Sequence, residues 1–246
     1  MSTLSVEKKA KAAGLAIEKA GVTSIPPVRA GMALDVSFSA KWMFENGMMQ
    51  SAFNQLLGAA VRLDDDGKLD SYVFDNGAAK ITTASAEDYD TFIRNKLLKS
   101  GASLWGGTNY APIINLIIGD LFLGKPATPA VKPSGLFGGL FGKKSEGSPG
   151  TAASNEPAVI FFLTDGDNAD AAAAESALAA CANKPIYFFM VGVGSATTFP
   201  FLQKMADKFD HVGFIAIRDL NISDEEMYKR LFTPEFAAFA KKIGGK

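Results

Sequence analysis

A single cysteine, Cys181, and a single histidine, His211, are all that 246 residues provide in thiol and imidazole chemistry. One cysteine excludes an internal disulfide and a thiolate metal cluster. One histidine, with no nucleophile at the usual spacing, removes histidine-dependent triads. His211 is read as structural, and Cys181, inside an alanine-rich run, as a buried inert thiol. A dominant charge is missing too. The 25 Lys and Arg residues stand against 26 Asp and Glu, a net charge of −1. That balance gives no ground for a nucleic-acid partner or an anionic membrane surface. No apolar run reaches the roughly 20 residues of a membrane span. The first 20 residues carry Lys and Glu in a helical pattern without an apolar h-region, so they are not read as a signal peptide. The expected location is the cytoplasm.

Hydrophobic residues make up 48% of the chain, enough for a sizeable core in one large domain. Val28 to Val36 reads as a first buried strand. A helical stripe follows from Met43 to Leu63, with Phe44, Met48, Phe53, Leu56, Leu57, Ala60 and Val61 on one side. Leu69 to Phe74 and Ala78 to Thr82 read as strands joined by Asp75-Asn76-Gly77. Ser85, with Asp88 three residues on, resembles a helix cap before Tyr89 to Leu98. Tyr110 to Leu121, Ala169 to Ala182 and Phe199 to Phe209 read as helices. Between them, Val159 to Leu163, Ile186 to Val193 and Val212 to Ile217 read as strands. Helices over Ser223 to Phe232 and Pro234 to Ile243 close the pattern. Strands alternating with helices predict an α/β fold, Rossmann-like and doubly wound, with a mostly parallel sheet covered on both faces. The division is a helical extension over residues 1–27 and one domain over 28–246. A Gly/Pro/Ser-rich insertion at 125–157 interrupts that domain, with a composition expected of a flexible segment. It repeats Gly-Leu-Phe-Gly twice between Gly135 and Gly142, which is either an incidental low-complexity feature or a sticky contact.

Three short segments carry oxygen ligands beside these elements. They are Asp35-Val36-Ser37-Phe38-Ser39, then Gly107-Thr108-Asn109, then Thr164-Asp165-Gly166. Asp35, Ser37, Ser39, Thr108 and Asp165 offer two carboxylates and three hydroxyls, a set suited to a small hard cation such as Mg²⁺, with Mn²⁺ or Ca²⁺ as substitutes. In an open α/β sheet, ligands bind beyond the carboxyl ends of the strands where strand order reverses. Asp35 and Asp165 each end a strand and are expected to be neighbours there.

At these residues the chain resembles a von Willebrand factor A-type domain with a metal-ion-dependent adhesion site. The family pattern is Asp-x-Ser-x-Ser, then a distant Thr, then a distant Asp. The resemblance is to the bacterial tellurium-resistance and stress-response branch. It is carried by Phe44-Glu45-Asn46-Gly47-Met48-Met49-Gln50, by Arg62 to Asp70, by Phe74-Asp75, and by Gly106-Gly107-Thr108-Asn109-Tyr110-Ala111-Pro112. It covers Ala30 to Ile217 apart from the insertion. The resemblance implies that Ser37, Ser39 and Thr108 bind the ion directly, and that Asp35 and Asp165 bind it directly or through water. The position between the serines is usually small in the family, and here it is Phe38.

The expected function is a non-enzymatic, metal-dependent interaction module. Its partner is a protein offering an acidic residue to the open cation vertex, with Phe38, Trp42 and Tyr110 supplying apolar contact. An alternative is an assembly scaffold, bacterial or phage-encoded, that binds through the Gly-Leu-Phe insertion. A metal-dependent phosphohydrolase with Asp35 as nucleophile fits less well. Ser37 stands where a second acid is wanted, and no lysine or arginine accompanies the three motifs. Asp64-Asp65-Asp66-Gly67 suggests a calcium loop, but aligning Gly67 with the loop glycine puts Arg62 at the first ligand position and Val73 at the last, so that reading fails.

Overall fold

The structure is a computed structural model that describes residues 2–64, 66–124, 154–193, 199–218 and 222–244. Six strands form one sheet in the order β3-β2-β1-β4-β5-β6. They are β1 (Arg29–Asp35), β2 (Leu69–Phe74), β3 (Ala78–Ala84), β4 (Ala158–Thr164), β5 (Ile186–Val193) and β6 (Val212–Ile217). Only β3 runs antiparallel to its neighbour, and the other four pairings are parallel. The helices are α1 (Ser2–Lys19), α2 (Lys41–Glu45), α3 (Met48–Leu63), α4 (Ala111–Phe122), α5 (Ala171–Ala180), α6 (Pro200–Lys208), α7 (Asp224–Leu231) and α8 (Pro234–Ile243).

The central strands are apolar throughout because both of their faces are covered. Val159, Phe161 and Leu163 of β4 join one core with residues of α1, α3, α7 and α8. Ile160 and Phe162, alternating with them, join a second core with residues of α4, α5 and α6. Both layers of the doubly wound fold are therefore present. Val6, Ala13 and Ile17 of α1 lie in the first core. The helix approaches α3 so closely that a Cβ on Gly58 would stand 2.3 Å from Lys9 Cβ.

Three stretches differ from the sequence reading. The helix expected over Met43 to Leu63 is two helices. Gly47 sits in the left-handed region at φ 78°, and Asn46 Oδ1 accepts the Met48 N–H at 3.1 Å. The helix expected over Tyr89 to Leu98 is a 3₁₀ turn at Ala86–Asp88, closed by the Ser85/Asp88 capping box, and a π turn at Ile93–Leu97. Between them Asp90 takes φ 64°, held by Asn54, whose Nδ2 donates to Asp90 Oδ1 at 2.6 Å and whose Oδ1 accepts the Asp90 N–H at 3.0 Å. Of the expected insertion, 125–153 lie outside the described residues. Residues 154–157 lead into β4, and the Pro157 carbonyl accepts the Arg29 N–H at 2.9 Å.

Candidate metal centre

The chain leaves β1 for β2 on one side and enters β4 on the other, so sheet order reverses between β1 and β4. The two strands pair from Arg29↔Ala158 to Leu34↔Leu163. Their carboxyl ends deliver Asp35 and Thr164 side by side. Thr164 Oγ1 donates to Asp35 Oδ2 at 2.6 Å, and the Ser37 N–H donates to Asp35 Oδ1 at 2.8 Å. Asp165, one residue further along, meets the other segment: Ser39 Oγ donates to its Oδ1 at 2.8 Å. Ser37 and Ser39 hydroxyls lie 3.1 Å apart. The two hydroxyls are within hydrogen-bond reach of one another. The structure thus gathers Asp35, Ser37, Ser39 and Asp165 into one hydrogen-bonded group.

Thr108 lies half-buried on the loop before α4. That loop is pinned from three sides. The Phe38 N–H donates to the Gly106 carbonyl at 2.8 Å, and the Trp105 N–H donates to Val36 O at 2.7 Å. The Asn109 N–H donates to Asp75 O at 2.8 Å, and Thr108 O accepts the Ala169 N–H at 2.8 Å. Gly106 and Gly107 permit this approach, since a Cβ on either would stand 2.7 Å from Asp75 Oδ2 or 2.5 Å from Asn76 Oδ1.

Asp35 is fully buried, and among the described residues neither Asp35 nor Asp165 forms an ion pair with a Lys, Arg or His. Burial pushes the Asp35 carboxyl up to about 6, against the pull of its bonds from Ser37 and Thr164. A buried carboxylate without a cationic partner is costly, and a bound cation removes that cost. Among the described residues no group of three or more His, Cys, Asp or Glu is placed to hold a metal. An ion at this site would therefore need the serine and threonine hydroxyls beside the two carboxylates. Those hard, mostly neutral oxygens fit Mg²⁺ and do not fit a soft metal.

Four residues have supporting roles that the sequence reading did not assign to them. Thr164 orients Asp35. Tyr110 OH bonds Thr164 Oγ1 at 3.0 Å and the Gly166 carbonyl at 2.5 Å. Tyr110 is fully buried, so it cannot supply the apolar contact expected of it; at the rim Phe38 is 71% exposed. Asp170 accepts the Tyr110 and Ala111 N–H groups, both at 2.8 Å, and so caps α4 from the loop after β4. Trp42, read as a rim residue, donates its indole N–H to Asp165 Oδ2 at 3.2 Å. The only sequence signals were Thr164 adjoining Asp165 and the closeness of Trp42 to the serines. Asp167 is exposed, His211 is buried, and Asp64 turns inward to accept the Ala30 N–H at 3.0 Å.

The whole chain aligns with the uncharacterized protein YcbR of Bacillus subtilis (strain 168), at 24% identity over 252 residues and 90% of that protein. Among solved structures, proximal thread matrix protein 1 from the mussel byssus shares the fold, with a TM-score of 0.56 and 12% identity over 85% of this chain. A second crystal form of that protein gives 0.52 and 14% over 84%. The chain spans about half the length of those structures, 47% and 48% of them. Residues 27–131 and 148–244 match the family described as the vWA found in the TerF C terminus. The parallel sheet, its switch point and that match over most of the sequence lead to one assignment: the chain is a von Willebrand factor A domain of the TerF-like family.

Proposed function

We propose that this domain is a non-enzymatic, metal-dependent protein-interaction module of the tellurium-resistance and stress-response type, working in the cytoplasm. The observation that carries it is the buried Asp35 carboxylate, among the described residues hydrogen-bonded by neutral groups only and grouped with Ser37, Ser39 and Asp165. Asp35, Ser37, Ser39, Thr108 and Asp165 would hold Mg²⁺, and the bound ion would offer an open position to a hard anionic oxygen. Two carboxylates balance a divalent cation, and three hydroxyls add no charge. An acidic side chain of a partner is therefore not repelled, as it would be from a site of three or four carboxylates. Ser39 is exposed and Ser37 is buried, so the outer side of the group faces solvent beside Phe38. Phosphoryl transfer is disfavoured because, among the described residues, no lysine or arginine pairs with Asp35 or Asp165.

The test is retention of native-cell proteins on the immobilised domain, with Mg²⁺ and with chelator, for wild type and Asp35→Ala. A band kept by wild type in Mg²⁺ and lost in the other conditions supports the proposal. Retention equal in all of them refutes it.

A further inference from the structure

We infer that Trp42 is a positioning residue for the candidate ion: its indole N–H holds the Asp165 carboxylate in the orientation in which that group meets the cation. The inference rests on the metal reading above. Both oxygens of Asp165 are engaged from one short stretch of chain. Ser39 Oγ donates to Oδ1 at 2.8 Å, and Trp42 Nε1 donates to Oδ2 at 3.2 Å. Rotation of the carboxylate about its Cβ–Cγ bond breaks both contacts. Asp165 lies one residue beyond β4, is only partly buried, and forms no ion pair among the described residues. Its orientation therefore depends on these two donors.

The chemistry of an indole suits that task. Its N–H is a donor only, and it is neutral. A lysine, arginine or histidinium in its place would bring a positive charge to a cation site, and an asparagine or serine would bring a lone pair that competes for the same protons. The Trp42 ring packs against the larger core while its N–H reaches Asp165, so the direction of the donor is fixed by packing. Trp105, the other tryptophan, packs edge-on against Phe44 at 5.2 Å, and among the described residues its side chain donates to neither carboxylate. Donors that orient a metal ligand commonly account for a factor of about 10 to 100 in metal affinity.

Trp42→Phe keeps a ring and removes the donor. Calorimetry of Mg²⁺ binding is expected to give a dissociation constant raised about tenfold, with the far-UV spectrum unchanged. A second measurement needs no change at Trp42. In the ¹H–¹⁵N spectrum of the whole chain, the Trp42 indole peak, assigned with Trp105→Phe, is expected to move on Mg²⁺ addition. Its midpoint should match the calorimetric one, because the ion draws charge from the carboxylate that the N–H faces. A dissociation constant within about twofold of wild type in a folded Trp42→Phe overturns the inference and leaves the metal site standing. So does an indole peak that stays in place while wild type binds Mg²⁺, and this readout decides if Trp42→Phe does not fold. Absence of Mg²⁺ binding in wild type overturns both.

Discussion

Thr164 gives its hydroxyl proton to Asp35 across the seam between β4 and β1, with Oγ1 and Oδ2 2.6 Å apart. Thr164 Oγ1 in turn lies 3.0 Å from Tyr110 OH, so the seam is bound to the first residue before α4. Asp35 is thereby fixed in place by neutral groups, with no ion-pair partner among the described residues.

A proton and the proposed metal would compete for that carboxylate. Burial raises Asp35 to about 6 in the metal-free fold, above the ordinary value of 3.8. The folded state then binds more protons than the unfolded chain between those values, so this group makes metal-free stability fall as pH rises through the window. Metal binding has the opposite sign: it needs the ionised form, so it is complete above 6 and weakens below. Mg²⁺ affinity measured by calorimetry is expected to drop by about tenfold per pH unit below 6. A flat profile between neutral pH and 5 would contradict the assignment of Asp35.

Thr108→Ala removes one candidate oxygen ligand without opening a core, since Thr108 is only half-buried and its loop is held through backbone groups. Stability in chelator is expected to change by no more than about 0.5 kcal/mol. Mg²⁺ stabilisation and partner retention are expected to fall. Equal Mg²⁺-induced melting shifts in the variant and wild type would remove Thr108 from the site.

Cys181 is fully buried at the end of α5, 3.6 Å from His211 Nε2, and burial pushes its thiol up to about 12. A thiol held so far above neutral is a poor nucleophile. An aromatic disulfide reagent at pH 8 is expected to react only as denaturant unfolds the chain. Fast labelling of the native protein would place the thiol elsewhere.

The contact between α1 and α3 is open to a sharper test. Gly58→Ala gains about 1 kcal/mol of helix propensity, yet its methyl would stand 2.3 Å from Lys9 Cβ and 2.8 Å from Tyr228 OH. Overpacking of this kind costs about 1–3 kcal/mol. The melting temperature is expected to fall, at about 2–4 °C per kcal/mol for a chain of this size. A rise would mean that α1 does not lie against α3.

The sheet was legible because its central strands are unbroken apolar runs: Ile186 to Val193 reads and folds with the same limits. The switch point followed from strands alternating with helices. The stretch Met43 to Leu63 ends where it was read, and its one miss is the local Asn46-Gly47 turn that splits it. The stretch Tyr89 to Leu98 was not legible, because tertiary hydrogen bonds decide it. Gln50 and Asn54, on α3, hold Ile93 and Asp90, and no local pattern announces such partners. At the candidate site the proposed oxygen ligands stand in short sequence motifs. The residues that orient them were not legible as such: Thr164, Trp42, Tyr110 and Asp170 act over separations of 54 to 129 residues, which only the fold brings together.

The central claim is that Asp35 and Asp165 complete a cation site, and titration of Mg²⁺ into the metal-free domain tests it most directly. Wild type is expected to bind one ion, gaining about 2.7 kcal/mol of stability when Mg²⁺ is present at 100 times the dissociation constant. The folded Asp35→Ala/Asp165→Ala variant is expected to give no binding heat and no gain. Equal heats and equal gains in both proteins, or none in either, would contradict the claim.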